Sequence, residues 1–256
     1  MMKFGFKYLF FFLPFLVIAL LLTLPLGLVV KYFPGPSILK LEGVTGSVFS
    51  GQIDRLTFQK LPVHQVEYQF DFTCLVQFSI CLDSKFLEGQ FLLSYNPLSD
   101  QIKLVEGSLE LPLQTPGLLP PTLLVKPSGS IIFHEIRASI LSRKIQDVST
   151  RAVWQNAGIE GEDINLGDYE FNLNRIGPEY ELTMSDLDAM ISVNGNTIVN
   201  RKGNYISTAT LSAKPGLPSS IKSALELVAR KKNLNQFEMN KSGKLPSNIM
   251  MYLSFD

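Results

Sequence analysis

The feature that most constrains this chain is an uncharged apolar run near its start, from Tyr8 to Val30. The run contains nine Leu, four Phe, three Val and one Ile. As a helix with a rise of ~1.5 Å per residue it would span roughly 35 Å, enough to cross a ~30 Å hydrocarbon core with some tilt. Pro14 and Pro25 make membrane insertion of this helix less favourable, but they do not reverse the prediction. We therefore predict a transmembrane helix over residues 8–30.

The flanks of this run bear on its processing and orientation. A cleavable signal peptide usually has an apolar region of about 7–15 residues that ends at a small-x-small site. Here the longer run leads into Lys31 with no such site, so we predict an uncleaved signal anchor, with a cleaved peptide as the alternative. Lys3 and Lys7 precede the span and place the start of the chain in the cytoplasm, although Lys31 weakens the asymmetry. The predicted division is a cytoplasmic end over 1–7, an anchor over 8–30, a turn-rich linker over 31–37 and an extracytoplasmic β-rich domain over 38–256.

Charge balance excludes one class of partner. Lys plus Arg and Asp plus Glu both number 23, so the chain lacks the basic surplus that drives nucleic-acid binding through counterion release. The sequence predicts no nucleic-acid partner.

The two cysteines, Cys74 and Cys81, suit an oxidising compartment. On one extended strand they would lie about 23 Å apart, far beyond the ~4.4–6.8 Å that a disulfide tolerates between Cα atoms. A bridge therefore requires the chain to fold back between them, as a local staple worth about 2–3 kcal/mol. Two buried free thiols are the alternative.

Alternating apolar residues dominate the chain after the anchor. Val66, Tyr68, Phe70 and Phe72 alternate with polar residues, which is typical of a half-buried strand. Similar runs occur at Gly89–Tyr95, Gln101–Glu106, Ser108–Leu113, Ser130–Ala138, Val148–Trp154, Tyr169–Asn174, Tyr180–Ser185, Ala189–Asn194 and Tyr205–Ala213. Most are separated by Gly, Pro, Asn or Asp. We predict a mainly β fold, a curved antiparallel sheet built as a meander.

Two points of organisation remain open in the sequence. The proline-rich stretch between Leu111 and Pro127 either separates two tandem sub-sheets or forms a long loop within one sheet. A single C-terminal amphipathic helix is predicted from about Ser219, as its N-cap, to Lys232. Arg230, Lys231 and Lys232 would lie in its last turn, where they complement the helix dipole or contact anionic lipid or an acidic partner.

Signatures of catalysis are missing. His64 and His134 have no metal-ligand spacing around them, and no phosphate-binding glycine loop or Ser-His-Asp set is present. Glu160, Glu162, Asp163 and Asp168 cluster without the spacing of a calcium loop, which favours a solvated acidic loop. We predict no catalytic residue, cofactor or metal site.

Two glycine-containing segments are more specific. In the first, which runs from Leu41 to Gly51, Leu41, Gly43, Gly46, Phe49 and Gly51 carry the pattern. In the second, Leu166, Gly167 and Tyr169 lead into an alternating strand.

At these residues the chain resembles the bacterial type II secretion system protein N family. That family has a short cytoplasmic end, one membrane anchor and a later leucine-glycine-x-tyrosine strand. Just after the anchor it has a segment that reads leucine-x-glycine-valine-x-glycine, then threonine or serine, leucine or valine, tryptophan or phenylalanine, any residue and glycine. The order and spacing are similar here, although Phe49 stands where the family usually has tryptophan. The resemblance implies a non-enzymatic, single-pass inner-membrane component, with its bulk in the periplasm, that helps to export folded periplasmic proteins across the outer membrane. Its implied partners are membrane lipid and other secretion components.

A more distant similarity to AsmA-like membrane-anchored β proteins implies an alternative. Those proteins have curved sheets associated with apolar grooves and lipid handling. In this chain the face formed by Val66, Tyr68, Phe70 and Phe72 would line such a groove, whereas the same alternation more often packs a closed core.

Overall fold

The computed structural model describes residues 12, 13, 15, 16, 19, 20, 23–32, 39–58, 61–115, 118, 126–142, 144–161 and 164–246. The predicted cytoplasmic end, parts of the predicted anchor and linker, and the last residues of the predicted domain therefore lie outside the described residues. Within the described part of the chain, every helix is too short or too polar to span a bilayer. A short helix, α1 (Leu26–Tyr32), includes the last residues of the predicted anchor and the first residues of the predicted linker.

In the described residues, fourteen strands form one sheet in which each strand pairs with its neighbours in sequence, except that β14 lies between β12 and β13. Every pairing is antiparallel, as the alternation and the short turns predict. The strands are β1 (Leu39–Gly46), β2 (Ser50–Phe58), β3 (Leu61–Asp71), β4 (Ile80–Phe86), β5 (Gly89–Asn96), β6 (Gln101–Pro112), β7 (Pro127–Leu141), β8 (Lys144–Ile159), β9 (Asn165–Ile176), β10 (Glu179–Ala189), β11 (Ile191–Val199), β12 (Asn204–Ala213), β13 (Arg230–Lys231) and β14 (Gln236–Lys244).

The sheet is open and continuous. Its edges are β1 and β13, and β6 pairs directly with β7 across the proline-rich connection. The alternative of two separate sub-sheets is therefore wrong, and the proline-rich stretch connects neighbouring strands of one sheet. The runs Gln101–Glu106 and Ser108–Leu113, predicted as separate strands, form the single strand β6, in which Gly107 pairs with Phe91.

The C-terminal helix is shorter than predicted. Helix α2 (Ser219–Val228) begins after Pro218 with no side-chain cap, so Ser219 is its first residue and not its N-cap. It ends because Ala229 becomes extended and packs on the fully buried Phe237, which lets Arg230 and Lys231 pair with β14 as strand β13.

The basic residues that were assigned to the last helical turn therefore lie beyond the helix. Lys231 Nζ lies 2.8 Å from Glu226 Oε1, and Lys232 Nζ lies 2.6 Å from Glu238 Oε1. The helix-dipole interpretation is wrong, because the helix ends at Val228 and its last turn contains no basic residue.

Buried side chains form clusters at two places along the sheet. Ile53, Val66 and Tyr68 form one on the first strands. A second, around Ala157, Tyr169, Ile191 and Val193, and a third, around Phe237, lie on the later strands, where Ile221 or Leu225 of α2 packs against them. Helix α2 thus covers the later part of the sheet, whereas α1 contacts only the first part through Leu26.

Candidate functional site

The first glycine segment forms the hairpin between β1 and β2. Ser47 closes its turn, because the Ser47 N–H donates to the Ser50 carbonyl at 2.8 Å and the Ser47 hydroxyl accepts from the Phe49 and Ser50 N–H groups. Tyr68 on β3 donates its hydroxyl to the Ser47 carbonyl. The hairpin is thereby fastened to the neighbouring strand.

Two glycines are required by this geometry. Gly46 has φ +91°, and a Cβ there would lie 2.5 Å from the Gly51 Cα. A Cβ at Gly51 would overlap the Thr45 carbonyl oxygen and lie 2.7 Å from the Tyr68 hydroxyl. The glycines of the motif therefore permit close backbone approach as well as unusual φ angles.

Gly43 has a different role: it changes which face of the sheet the following side chains of β1 lie on. Its φ of +66° interrupts the alternation of side chains, so Leu41 and Val44, three residues apart, both pack on the first cluster. Gln65, with φ +53°, does the same for Val63 and Val66 on β3. A left-handed residue within a strand thus lets two apolar residues three positions apart lie on the same face of the sheet.

These strands enclose an open apolar groove of about 460 Å³. Among the described lining residues, only Tyr68 and Ser84 carry a polar side-chain group, a hydroxyl in each case. The lining residues are Leu26, Val48, Ile53, Leu56, Val63, Val66, Tyr68, Phe70, Leu82, Ser84, Phe86, Phe91 and Leu93.

The end of the N-terminal apolar run lies against the hairpin. Pro25 forms an isolated β-bridge with Ser47, and the Val48 N–H donates to the Leu24 carbonyl at 3.0 Å. Leu26 of α1 then contributes to the groove wall. The groove is therefore continuous with the segment that the sequence predicts to be the membrane anchor.

The structure brings together three of the four residues of the predicted apolar face. Val66, Tyr68 and Phe70 line the groove, but Phe72 does not. Strand β3 ends at Asp71, and Phe72 begins a 3₁₀ helix in which its side chain is 49% exposed. The placement of Phe72 on the strand face is wrong, because Asp71 accepts a hydrogen bond from the Thr73 N–H and caps the helix there.

The second motif lies on β9, seven strands from β2 in the sheet order. Gly167 has φ +96°, and a Cβ there would overlap the Asp188 carbonyl oxygen. As at Gly43, a left-handed glycine places a pair of core residues three apart, here Leu166 and Tyr169. The two motifs are not brought together into one site, but they perform the same structural task in separate clusters.

Three of the ionisable residues singled out in the sequence, His64, Asp168 and Glu160, have structural partners. His64 Nδ1 and Glu88 Oε1 share a hydrogen bond of 2.8 Å, which ties β3 to the β4–β5 turn. Asp168 is not part of a solvated loop: it lies on β9 and accepts from the N–H of Asn156, which has φ +50°. Glu160 pairs with Lys126, while Glu162 and Asp163 lie outside the described residues. Within the described ranges, no three His, Cys, Asp or Glu side chains are grouped as metal ligands.

A family model for type II secretion system protein N matches residues 38–240. The chain belongs to the type II secretion system protein N family. Type II secretion system protein N of Aeromonas hydrophila is 23% identical over 244 residues, which cover 88% of this chain and 93% of that protein. No solved structure matches the chain. The family assignment thus covers nearly all of the sheet and both glycine motifs.

Sequence reasoning missed most of the groove wall. Leu82 and Phe86 lie on β4, which was not predicted, and Leu26 was assigned to the anchor alone. Phe91 and Leu93 could have been found, since they occupy alternate positions of the predicted strand Gly89–Tyr95. For Leu82 and Phe86 the signal is weak, because Asp83, Ser84 and Lys85 interrupt the apolar pattern.

Tyr169 gives the second motif a measurable pH signature. Burial, with a smaller contribution from Asp186, raises the pKa of Tyr169 to about 12, whereas an unfolded tyrosine titrates near ~10. As the pH rises, the unfolded chain therefore loses the Tyr169 proton before the folded chain does. The contribution of Tyr169 to the free energy of unfolding is complete below about pH 10 and is lost as the pH approaches 12.

We expect the stability advantage of wild type over Tyr169→Phe to fall by about 2 kcal/mol between pH 10 and pH 12. Urea titrations of both proteins across this range measure it. An advantage that stays constant with pH would contradict the assignment.

Proposed function

We propose that this chain is a non-enzymatic accessory component of the type II secretion system that supports export of folded periplasmic proteins. The match of residues 38–240 to the protein N family carries the proposal. In this proposal residues 8–30 anchor the protein in the inner membrane, residues 1–7 are cytoplasmic and the sheet is periplasmic. The disulfide between Cys74 and Cys81, with Cα atoms 5.9 Å apart, supports an oxidising compartment.

Contacts with other secretion components would use the surface of an open sheet. The outer edge of β1 and the edge at β13 are the two ends of the strand order. An edge strand presents backbone N–H and C=O groups that a partner strand can pair with. The proposal therefore assigns the protein a role in assembly, with no reacting group.

Orientation is tested with reporter fusions. Alkaline phosphatase joined after Leu61 should be active, because the positive-inside tendency of Lys3 and Lys7 places that point in the periplasm. A fluorescent protein that matures only in the cytoplasm is the matched reporter at the same junction and should stay dark. The opposite pair of results would reverse the orientation.

Lipid binding is the second candidate function, and the apolar groove favours it. Its volume of about 460 Å³ falls in the range of small-molecule sites, ~300–1,000 Å³, and its wall is almost entirely hydrocarbon. An acyl chain is the ligand class that such a wall would accept, because it has no polar group that would need a partner inside.

A photocrosslinker placed at Phe70 or Phe91 separates the two functions. Both side chains line the groove and neither makes the hydrogen bond of Tyr68. For a lipid carrier we expect stoichiometric phospholipid in native mass spectra of the detergent-extracted protein, and lipid adducts at both positions. A crosslinker at Ile206, which is 64% exposed on β12, is the control and should give none.

The same measurement tests the assembly proposal. An empty domain whose crosslinks lead to other secretion components would exclude the carrier function. Lipid adducts confined to the groove positions, with no protein crosslinks, would exclude a role through contacts alone.

A further inference from the structure

The connection between β3 and β4 exposes apolar side chains. We call Phe72–Ser79 the disulfide loop. Leu75, Val76 and Phe78 are 55%, 86% and 68% exposed, and no charged residue occurs between Asp71 and Asp83. Contiguous exposed apolar side chains on a soluble domain mark an interaction surface.

The exposure is built into the fold of this loop. Asp71 caps the 3₁₀ helix by accepting from the Thr73 N–H at 2.9 Å, and the Ser79 N–H donates to the Cys74 carbonyl at 3.1 Å. The disulfide between Cys74 and Cys81 closes the loop. The apolar side chains therefore point outward from a constrained backbone.

The disulfide loop lies at the same end of the sheet as the glycine hairpin. The Phe49 ring centroid lies 5.7 Å from that of Phe70 and 5.4 Å from that of Phe72. The next turn at this end, between β5 and β6, carries Leu98, which is 77% exposed. Two connections at this end of the sheet, β3–β4 and β5–β6, thus expose apolar side chains, and the glycine hairpin lies beside them.

The end of the N-terminal apolar run reaches this same place. The Leu24 carbonyl accepts from the Val48 N–H in the hairpin. If the run is anchored in a bilayer, as the proposed function holds, this end of the sheet is brought to the membrane surface. The inference below rests on that anchoring.

We propose that the disulfide loop inserts its exposed apolar side chains into the headgroup–acyl boundary of the bilayer, beside the anchor. No Lys or Arg occurs from residue 61 to residue 84, so attraction to anionic headgroups does not contribute. Apolar burial drives the contact, as in interfacial segments of monotopic proteins. The contact fixes how the sheet, and the groove that Phe70 lines, is oriented above the membrane.

The test uses the full chain in phosphatidylcholine vesicles with and without brominated acyl chains, which quench nearby tryptophan. Trp154 is the only native tryptophan and supplies the background. Val76→Trp and Leu75→Trp place the probe in the disulfide loop. The matched control is Leu87→Trp, which is 72% exposed in the turn at the other end of β4, about 20 Å along the strand.

We expect quenching of the added tryptophan to be at least threefold stronger in both loop variants than in Leu87→Trp, with blue-shifted emission that 0.5 M salt does not change. Two loop positions guard against a local folding defect in either one. Equal, weak quenching at all three positions would overturn the inference.

Alkaline extraction of the wild-type protein from the same vesicles separates this inference from the anchoring proposal. Resistance to extraction together with weak loop quenching would leave the anchor standing and remove the loop contact. Extraction of the wild type would remove both. A blue shift that appears only in membranes containing other secretion components would identify a protein partner instead and contradict the lipid contact.

Discussion

Substitution of Gly51 by alanine is expected to lower the free energy of unfolding by about 3 kcal/mol, the upper part of the range for overpacking a close-packed site. The added methyl group would overlap the Thr45 carbonyl oxygen and approach the Tyr68 hydroxyl. Relief requires β1 and β2 to separate, which also breaks the hydrogen bond from Tyr68 to Ser47. The loss should appear as a lower urea midpoint.

The matched control is Gly195→Ala in the middle of β11. A Cβ at Gly195 meets only ordinary contacts, the nearest being the Ala209 Cβ at 3.4 Å. This variant should change stability by less than about 0.5 kcal/mol, since alanine in a strand also loses less chain entropy than glycine on folding. Equal losses of unfolding free energy in the two variants would show that the hairpin does not depend on the close approach of β1 and β2 at Gly51.

Phe237→Ala is expected to cost about 3–5 kcal/mol. Phe237 is fully buried, and it holds the end of the sheet to α2 through its cluster with Ala213, Ala229 and Leu225. The cavity left behind cannot close without moving β14 or the helix. Chemical denaturation measures the loss, and hydrogen exchange should show that the amides of α2 lose protection first.

Leu234→Ala is the control: it also truncates a large apolar side chain near β14, but at an exposed position. Leu234 is 78% exposed, so its truncation should stay within about 0.5 kcal/mol of wild type. If Phe237→Ala lost less than about 1 kcal/mol, the cluster would not fasten α2 to the sheet.

Strand identity was predictable where the alternation was regular. The predicted strands Gly89–Tyr95 and Tyr205–Ala213 differ from the observed ones by at most one residue at each end. Strand β4 was missed, and β6 was predicted as two separate strands on either side of Gly107, because neither segment has a clear local pattern. Both are strands through pairing with their neighbours, which is a non-local contribution.

The glycine motifs could be found in the sequence, but their physical role could not. Leu41-x-Gly43-Val44 and Leu166-Gly167-x-Tyr169 both contain apolar residues three apart around a glycine. With a strict period of two, these pairs would point to opposite faces. The left-handed glycine puts them on one face, and its φ angle is known only once the strand is placed in the sheet.

The sequence by itself determined an apolar N-terminal run, a mainly β chain of antiparallel strands and two cysteines near each other in the chain, with a bridge and two free thiols left as alternatives. It did so because side-chain periodicity, turn residues and covalent reach are local properties. The tertiary structure decided that the strands form one open sheet, that α2 ends at Val228, and that Leu26, Phe70 and Phe91 meet in one groove. Those outcomes depend on register and packing between distant segments, where the burial of Phe237 and the changes of sheet face at Gly43 and Gln65 outweigh local preference.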